Sequence, residues 1–256
     1  MNIKMKVLVF LLLAASLFPL CSGAQVNVKD SSVFTTMIYP AFALQWPGGD
    51  LKSRFGFSSS IGPGFMLKSK SNWVFAVEAG FIFGAVIKNE QEILKNISTA
   101  DGWVIDANGT YASIHMYERG FTGMAGIGKI ITGLGPNPNS GIMLMGKVGY
   151  IQHKIRIENT DNAAPQVTGN YKKGYDKLSE GPALSEFIGY MYLGNNRLIS
   201  FFGGISCTQA WTRSRRIFDL SEGKKDDAQH FDMLFEIRGG WIIPLYKRSP
   251  KEFYYN

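Results

Sequence analysis

Large apolar residues alternate with small or polar residues along much of the chain. Near the C-terminus the two faces are easily separated: Phe231, Met233, Phe235, Ile237, Trp241 and Ile243 fall on one, and Asp232, Glu236, Arg238 and Gly240 on the other. The segment from Trp73 to Phe83 repeats this pattern, with Glu78 and Gly80 on its polar face. A period of two residues is typical of β-strands whose faces meet different surroundings.

Segments of this kind predict eight strands. They are Val33–Leu44, Phe55–Lys68, Trp73–Ile87, Tyr111–Ile131, Gly141–Glu158, Ala183–Leu193, Leu198–Arg213 and His230–Tyr246. The connections after the second, fourth and sixth strands are tight turns. Those after the third, fifth and seventh strands are long and polar, and the connection after the first strand has an intermediate length. This alternation is expected of an antiparallel barrel, in which every second connection lies on the same rim.

The direction of the apolar face decides between a soluble and a membrane barrel. A soluble barrel buries its apolar residues inside, whereas here one face of each strand carries Phe, Trp, Ile and Met nearly end to end. A closed barrel leaves no backbone amide unpaired in lipid, and these strands are long enough for the ~9–11 tilted residues that a bilayer requires. We therefore predict an all-β, eight-stranded antiparallel up-and-down transmembrane β-barrel over residues 25–246, with long external loops. A secreted β-sandwich or lipocalin-like barrel is the alternative.

Residues 1–24 have the features of a secretory signal peptide. Lys4 and Lys6 precede an apolar run that ends at Leu20, and small residues lie before Gln25. The run is too short to span a bilayer comfortably as a helix, and a retained anchor or a lipoprotein at Cys21 is the alternative. Cleavage would leave Cys207 as the only cysteine, so no internal disulfide is expected. Residues 247–256 are predicted to form a periplasmic tail.

The strand register predicts a set of charged side chains in the barrel lumen. They are Glu78, Glu118, Lys147, Glu186, Asp232, Glu236 and Arg238. An eight-stranded barrel is just wide enough for side chains to fill, so charges enclosed there should pair with one another. We expect an ionic plug that fixes the strand register, and a proton relay or a narrow conducting path is the alternative.

Histidine is the candidate for enzymatic chemistry. His115, His153 and His230 lie near the outer ends of their predicted strands, where a lipid-modifying barrel enzyme would hold its site. Acyl transfer needs a nucleophile beside an oriented base, and Ser113, on the same face as His115, is a weak candidate. The sequence has no metal-ligand spacing, P-loop or dinucleotide motif. We therefore predict a protein that is not an enzyme and has no cofactor or metal.

The predicted external loops contain a group of cations: Lys172, Lys173, Arg213, Arg215 and Arg216. The guanidinium group of arginine can bind a phosphate through two hydrogen bonds. These residues are therefore candidate contacts for lipopolysaccharide phosphates. A solvated loop of mixed charge is the alternative, because acidic residues follow closely. A net charge of +7 also suits nucleic acid, but export and a membrane wall argue against that partner. Phe253, Tyr254 and Tyr255 are expected either to dock a periplasmic partner or to anchor the tail at the headgroups.

The predicted signal peptide, the alternation of loop lengths and the ending Gly239-Gly240-Trp241-Ile242-Ile243-Pro244-Leu245-Tyr246 with Phe253-Tyr254-Tyr255 resemble the small outer-membrane β-barrel proteins of Bacteroidota. Members of that group include OmpX-like barrels and accessory components of protein-secretion and gliding machinery. The resemblance implies an integral protein of the bacterial outer membrane with a structural or accessory role. Outer-membrane lipid, lipopolysaccharide and an envelope protein are the implied partners. The resemblance assigns no site residue.

Overall fold

Eight antiparallel strands close into a ring in the computed structural model, which describes residues 31–194 and 199–245. The strands are β1 (Thr35–Gly49), β2 (Ser58–Lys68), β3 (Trp73–Gly84), β4 (Ile114–Ile131), β5 (Gly141–Asn159), β6 (Ser179–Leu193), β7 (Ser200–Ser214) and β8 (Gln229–Trp241). Each strand pairs with the next, and β1 also pairs with β8. A short β9 (Ile243–Leu245) follows β8 and pairs with the start of β1. The predicted eight-stranded antiparallel barrel is confirmed.

The strand ends differ from the predicted ones at several places. β1 continues to Gly49 rather than ending at Leu44, and β6 begins at Ser179 rather than Ala183. The added residues include Pro182, which faces outward and lies opposite Tyr150 of β5, while the β7 pairing passes over it. A proline is tolerated where its missing N–H is not needed by the ladder. The last predicted strand is interrupted at Ile242.

The connections separate by length at the two ends of the barrel. The short-loop end carries residues 69–72, residues 132–140 with the 3-10 helix Thr132–Leu134, and the β6–β7 turn, of which 195–198 lie outside the described residues. The long-loop end carries one α-helix and five 3-10 helices: Glu90–Ile93, Asp50–Ser53, Lys95–Ile97, Thr160–Asn162, Pro165–Val167 and Tyr171–Gly174. None of the helices in the described ranges has the length and hydropathy to cross a bilayer.

The outer wall of the barrel is apolar. Phe231, Phe235 and Trp241 point outward and are 39%, 46% and 57% exposed. Exposed or half-exposed aromatic residues form one girdle near the short-loop end and another near the long-loop end: Trp73, Tyr192, Phe201 and Trp241 in the first, and Trp46, Phe57, Tyr150, Trp211 and Phe231 in the second. An apolar band between two aromatic girdles is the pattern of a barrel that spans a bilayer.

A hydrophobic core fills the inside of the long-loop end. Loop residues pack there against inward-facing strand residues: Leu51, Phe55, Ile93, Leu94, Val104, Val167 and Tyr175 against Ile82, Ile151 and Ile155. Phe55 was predicted to begin a strand but lies fully buried in this core. The long loops, predicted only as long and polar, therefore fold over the mouth of the barrel as a packed cap.

Candidate functional site

Four charged side chains meet in the middle of the barrel interior. Lys147 Nζ lies 2.7 Å from Glu78 Oε1, and the Arg238 guanidinium contacts both oxygens of Glu78 at 2.9 and 3.1 Å. Glu236 Oε2 lies 3.8 Å from Arg238 Nη1. Because β3, β5 and β8 each turn these positions inward, two carboxylates face two cations. We call Glu78, Lys147, Glu236 and Arg238 the central cluster, and its formal charges sum to zero.

Neutral polar groups complete the hydrogen bonding of the central cluster. The Tyr39 hydroxyl donates to Glu78 Oε2 at 3.2 Å, and Gln45 Nε2 and Ser206 Oγ each donate to Glu236 at 2.5 Å. Beside the cluster is a cavity of about 30 Å³ lined partly by Ser60 and Thr122. That volume has room for ordered water. Neither Tyr39 nor Gln45 was among the predicted luminal residues. The alternation within Val33–Leu44 places Tyr39 inward, whereas Gln45 lies beyond the predicted end of that strand.

A second buried polar group lies nearer the long-loop end. His153 Nε2 is 2.9 Å from Asp232 Oδ2, and the Thr212 hydroxyl donates to the same oxygen at 2.5 Å. Phe55 packs edge-on against the His153 ring, with centroids 5.6 Å apart. His153 is 1% exposed, so the expectation that it is a rim residue is wrong. Residue 153 has the same inward parity on β5 as Lys147, and the loop cap extends above it.

The two remaining residues predicted to face the lumen, Glu118 and Glu186, lie on opposite faces of the barrel wall. Glu118 points inward and is buried. Glu186 was expected in the lumen, but it lies exposed on the outer wall. The inward positions of β6 are the odd ones, including Ser185 and Phe187, so the expectation for Glu186 is wrong. The alternation along β6 places Glu186 on the same face as Leu184 and Ile188, so the predicted register was wrong at this residue and Glu186 lies in the apolar band.

A buried lysine holds the chain that precedes β1 at the short-loop end. Lys68 is fully buried, and its ammonium donates to Asn139 Oδ1 at 2.8 Å and to the Val33 carbonyl at 3.2 Å. Asn139 Nδ2 in turn donates to the Ser31 carbonyl at 2.8 Å, and its Oδ1 accepts the Val33 N–H. This network fixes residues 31–33 against the short-loop end. No local pattern predicts this network, because Lys68 and Asn139 are far apart in the sequence.

The other two histidines lie near the long-loop end. His115 is exposed, and its Nε2 lies 3.4 Å from Ser113 Oγ. His230 Nε2 lies 2.9 Å from Asp226 Oδ2 in a cleft of about 330 Å³ between loops. A nucleophile needs a base that a third group orients. Within the described residues, no carboxylate forms a hydrogen bond with His115, so the Ser113–His115 pair lacks that third group.

The Asp226–His230 contact predicts a pH response of the β7–β8 loop. Partial burial raises the pKa of Asp226, but the hydrogen bond and charge of His230 outweigh it and hold the pKa below its usual value. A carboxylate with a lowered pKa stabilises the fold above its unfolded pKa of about 3.9, and this contribution is lost as the pH falls through the lowered value. We expect the loop to open more readily to protease below about pH 4. Asp226→Asn should abolish that pH dependence, and an unchanged profile would contradict the prediction.

The five cations predicted to contact phosphate do not form one site. Arg216 is held by both oxygens of Asp176, and Arg215 Nε lies 2.6 Å from Glu180 Oε1. Arg213 donates to Gln229 at 3.2 Å. Lys172 and Lys173 are exposed on a separate 3-10 helix. Ion pairs within the protein therefore already satisfy Arg215 and Arg216.

The outer wall carries another pair of cations, which was not among the predicted phosphate contacts. Arg119 of β4 and Lys154 of β5 lie directly opposite each other, and both point outward in the long-loop halves of their strands. The Arg119 guanidinium lies 5.1 Å from the centre of the Tyr117 ring. Like charges directly opposite one another are destabilising in a β-sheet. The outward parity of both strands was the signal that could have identified this pair.

Several predicted features lie outside the described residues. They are the signal peptide (residues 1–24) with Cys21, and the tail (residues 247–256) with Phe253, Tyr254 and Tyr255. Among the residues described, Cys207 is the free cysteine, and no group of three or more His, Cys, Asp and Glu is placed to hold a metal ion.

The fold and its surfaces define an eight-stranded transmembrane β-barrel with a charged interior and a folded loop cap. No family model matches the chain, and no curated protein matches it. Among solved structures, it is similar to Ail of Yersinia pestis (TM-score 0.43, 10% identity, 82% of this chain and 98% of Ail). It is also similar to Neisserial surface protein A (TM-score 0.41, 13% identity, 81% of this chain and 96% of that protein). A third similar structure is AlkL (TM-score 0.39, 10% identity, 91% of this chain and 100% of AlkL). Likeness at this level carries no information on function.

Proposed function

We propose that the protein is a non-enzymatic, non-conducting barrel of the bacterial outer membrane with a structural or accessory role in the envelope. The observation that carries the proposal is the interior: the central cluster joins β3, β5 and β8 by direct ion pairs. The Lys68 network lies toward the short-loop end, and the hydrophobic cap covers the long-loop end. Short turns lie on the periplasmic side of such barrels, which directs the cap outward.

Electrical recording tests this proposal against its first rival, a narrow-pore transport protein. A pore needs water along its length, whereas the central cluster is held by direct contacts. In planar bilayers we expect the purified protein to give no steady conductance above that of the lipid. A steady conductance that Glu236→Ala abolishes would favour transport instead.

Lipid analysis tests the second rival, a lipid-modifying enzyme. The Ser113–His115 contact is the observation that keeps this rival open. His115, His153 and His230 are replaced by Ala one at a time, and lipid A and phospholipid profiles are compared with those of cells producing the unchanged protein. We expect identical profiles, and a profile altered by one substitution would support the enzyme.

Arg119 and Lys154 support the proposal that the barrel contacts lipopolysaccharide phosphate. An anion between two opposed cations relieves their repulsion and receives charge-assisted hydrogen bonds. We expect the protein to be more stable in lipid A bilayers than in phosphatidylcholine, and Arg119→Gln/Lys154→Gln to reduce this difference by roughly 1–2 kcal/mol. Urea unfolding in both lipids measures it. Lys172→Gln/Lys173→Gln removes the same charge from a loop and is the control, and an equal effect of the two double variants would contradict a site on the wall.

The proposed accessory role requires an envelope partner, for which residues 247–256 are the proposed docking segment. The support is their composition, since basic residues precede Phe253, Tyr254 and Tyr255. A component of a secretion complex of the Bacteroidota type is the partner that the sequence resemblance implies. Affinity purification in mild detergent compares the whole chain with a chain ending at Tyr246. Loss of a co-purifying envelope protein is expected, and retention of every partner by the shortened chain would contradict the role of the tail.

A further inference from the structure

A carboxylate lies in the middle of the apolar outer wall. Along β6 the outward residues run from Tyr190 through Ile188, Glu186 and Leu184 to Pro182, so Glu186 is midway along the band. A charged or protonatable side chain at this depth is costly in hydrocarbon and commonly marks a functional contact. Within the described residues, no hydrogen bond or ion pair reaches the Glu186 carboxyl group.

Glu186 belongs to a small polar patch on two adjacent strands. Cys207 of β7 lies directly opposite Glu186, and Gln209 is the next outward residue along β7. The outward neighbours around this patch are apolar: Leu144, Leu184, Ile188, Ile205, Phe235 and Ile237. The Gln209 side chain forms a hydrogen bond with the Cys207 sulfur. Within the described residues, the Glu186 carboxyl group is therefore the member of the patch that has no donor, and lipid tails offer it none.

The patch lies in a shallow, open groove of the outer wall. The groove has a volume of about 800 Å³ and is lined by Trp46, Trp73 and residues of β4 to β8, including Glu186, Cys207, Gly146 and Phe235. Gly146, opposite Glu186 on β5, has no side chain to cover the carboxyl group. A second groove of about 1120 Å³ over β1 to β5 exposes the apolar side chain of Val77. The polar patch thus distinguishes one groove from the other.

We propose that this groove is the interface of a homodimer within the membrane. The patch is self-complementary: the Gln209 amide has a second N–H to donate besides the one that Cys207 accepts, and Glu186 is an acceptor. The proposed interface is two-fold, with its axis along the membrane normal near Cys207, so the same patch of each copy faces the other and Glu186 can accept from Gln209 of the second copy. A lipid phosphate is excluded as occupant, because it is anionic and lies at headgroup depth. A second copy is therefore the occupant that supplies donors at the same depth.

The native cysteine provides the test. Membranes containing the full-length protein with Cys21→Ser are oxidised with copper phenanthroline, and the products are separated without reductant. We expect a disulfide-linked species of twice the monomer mass. The matched control is Cys207→Ser/Val77→Cys, which moves the thiol to the middle of the other groove, and it should cross-link at least tenfold less. A spin label on Cys207 gives a second readout, for which pulsed EPR should find one short distance between copies.

A variant without the polar patch separates the interface from the fold. Glu186→Leu/Gln209→Leu removes the donor and the acceptor and leaves Cys207 and the barrel interior intact. We expect this variant to keep the heat-dependent gel mobility of a folded barrel and to lose at least nine-tenths of the cross-link. Unchanged cross-linking of this variant would overturn the proposal. So would a wild-type yield equal to that of the Val77→Cys control with no short distance by EPR, or a product whose mass indicates a different protein.

Discussion

Arg238→Met is expected to destabilise the barrel by about 3–5 kcal/mol, because breaking a buried ion pair leaves an uncompensated charge in a medium that solvates it poorly. Arg238 makes two hydrogen bonds to Glu78 and lies close to Glu236. Methionine keeps the length of the side chain but supplies no donor. Without the guanidinium, only Lys147 remains to balance two carboxylates in the central cluster. Urea unfolding of the protein refolded into lipid vesicles measures the loss.

Two variants check that this effect arises from the central cluster. Arg213→Met removes an exposed arginine from the end of β7 and should change the stability by less than about 0.5 kcal/mol. Glu78→Gln combined with Arg238→Met removes one charge of each sign, so it should recover part of the loss. Equal effects of Arg238→Met and Arg213→Met would show that the central cluster does not stabilise the barrel.

Phe235→Arg is expected to cost about 2–4 kcal/mol, the range for a cation at the midplane of the lipid-facing wall of a barrel. Phe235 is outward-facing and lies opposite Cys207 of β7, well inside the apolar band. Phe231→Arg places the same side chain in the aromatic girdle, where the expected cost falls to about 0–1 kcal/mol. Unfolding of both variants in the same lipid gives the depth dependence. Equal costs at the two positions would contradict the assigned depths.

The sequence was sufficient for the fold because the two faces of each strand meet opposite surroundings. A register error of one residue would turn every large apolar side chain into the lumen, so positions such as Phe235 and Ile237 determine the orientation of β8. The local pattern predicted the ends of the strands less accurately than their orientation. Phe55 has the composition of a strand residue, yet the loop cap buries it, and such long-range packing is not encoded in a local period.

The interior was predictable as a set of positions but not as a set of contacts. Parity alone indicated that Glu78, Lys147 and Arg238 face inward, whereas their pairing depends on the stagger of strands that are distant in the sequence. The burial of His153 was likewise not predictable from the alternation, because its distance from the rim depends on how far the loop cap extends. Glu186 is a different case, because the alternation along β6 places it outward beside Leu184 and Ile188, and the predicted register was wrong there.

The transmembrane assignment depends on the outward side chains lying in hydrocarbon, and the accessibility of spin labels measures this directly. Single cysteines replace Phe75 and Val77 of β3 in a background without Cys21 and Cys207, and Ile217, 89% exposed in the β7–β8 loop, is labelled as the aqueous reference. In lipid vesicles, labels at residues 75 and 77 should relax strongly with oxygen and weakly with a water-soluble nickel complex, and residue 217 should show the reverse. If the labels at 75 and 77 relaxed with the nickel complex as strongly as the label at 217, the outer wall would lie in water and the transmembrane assignment would be wrong.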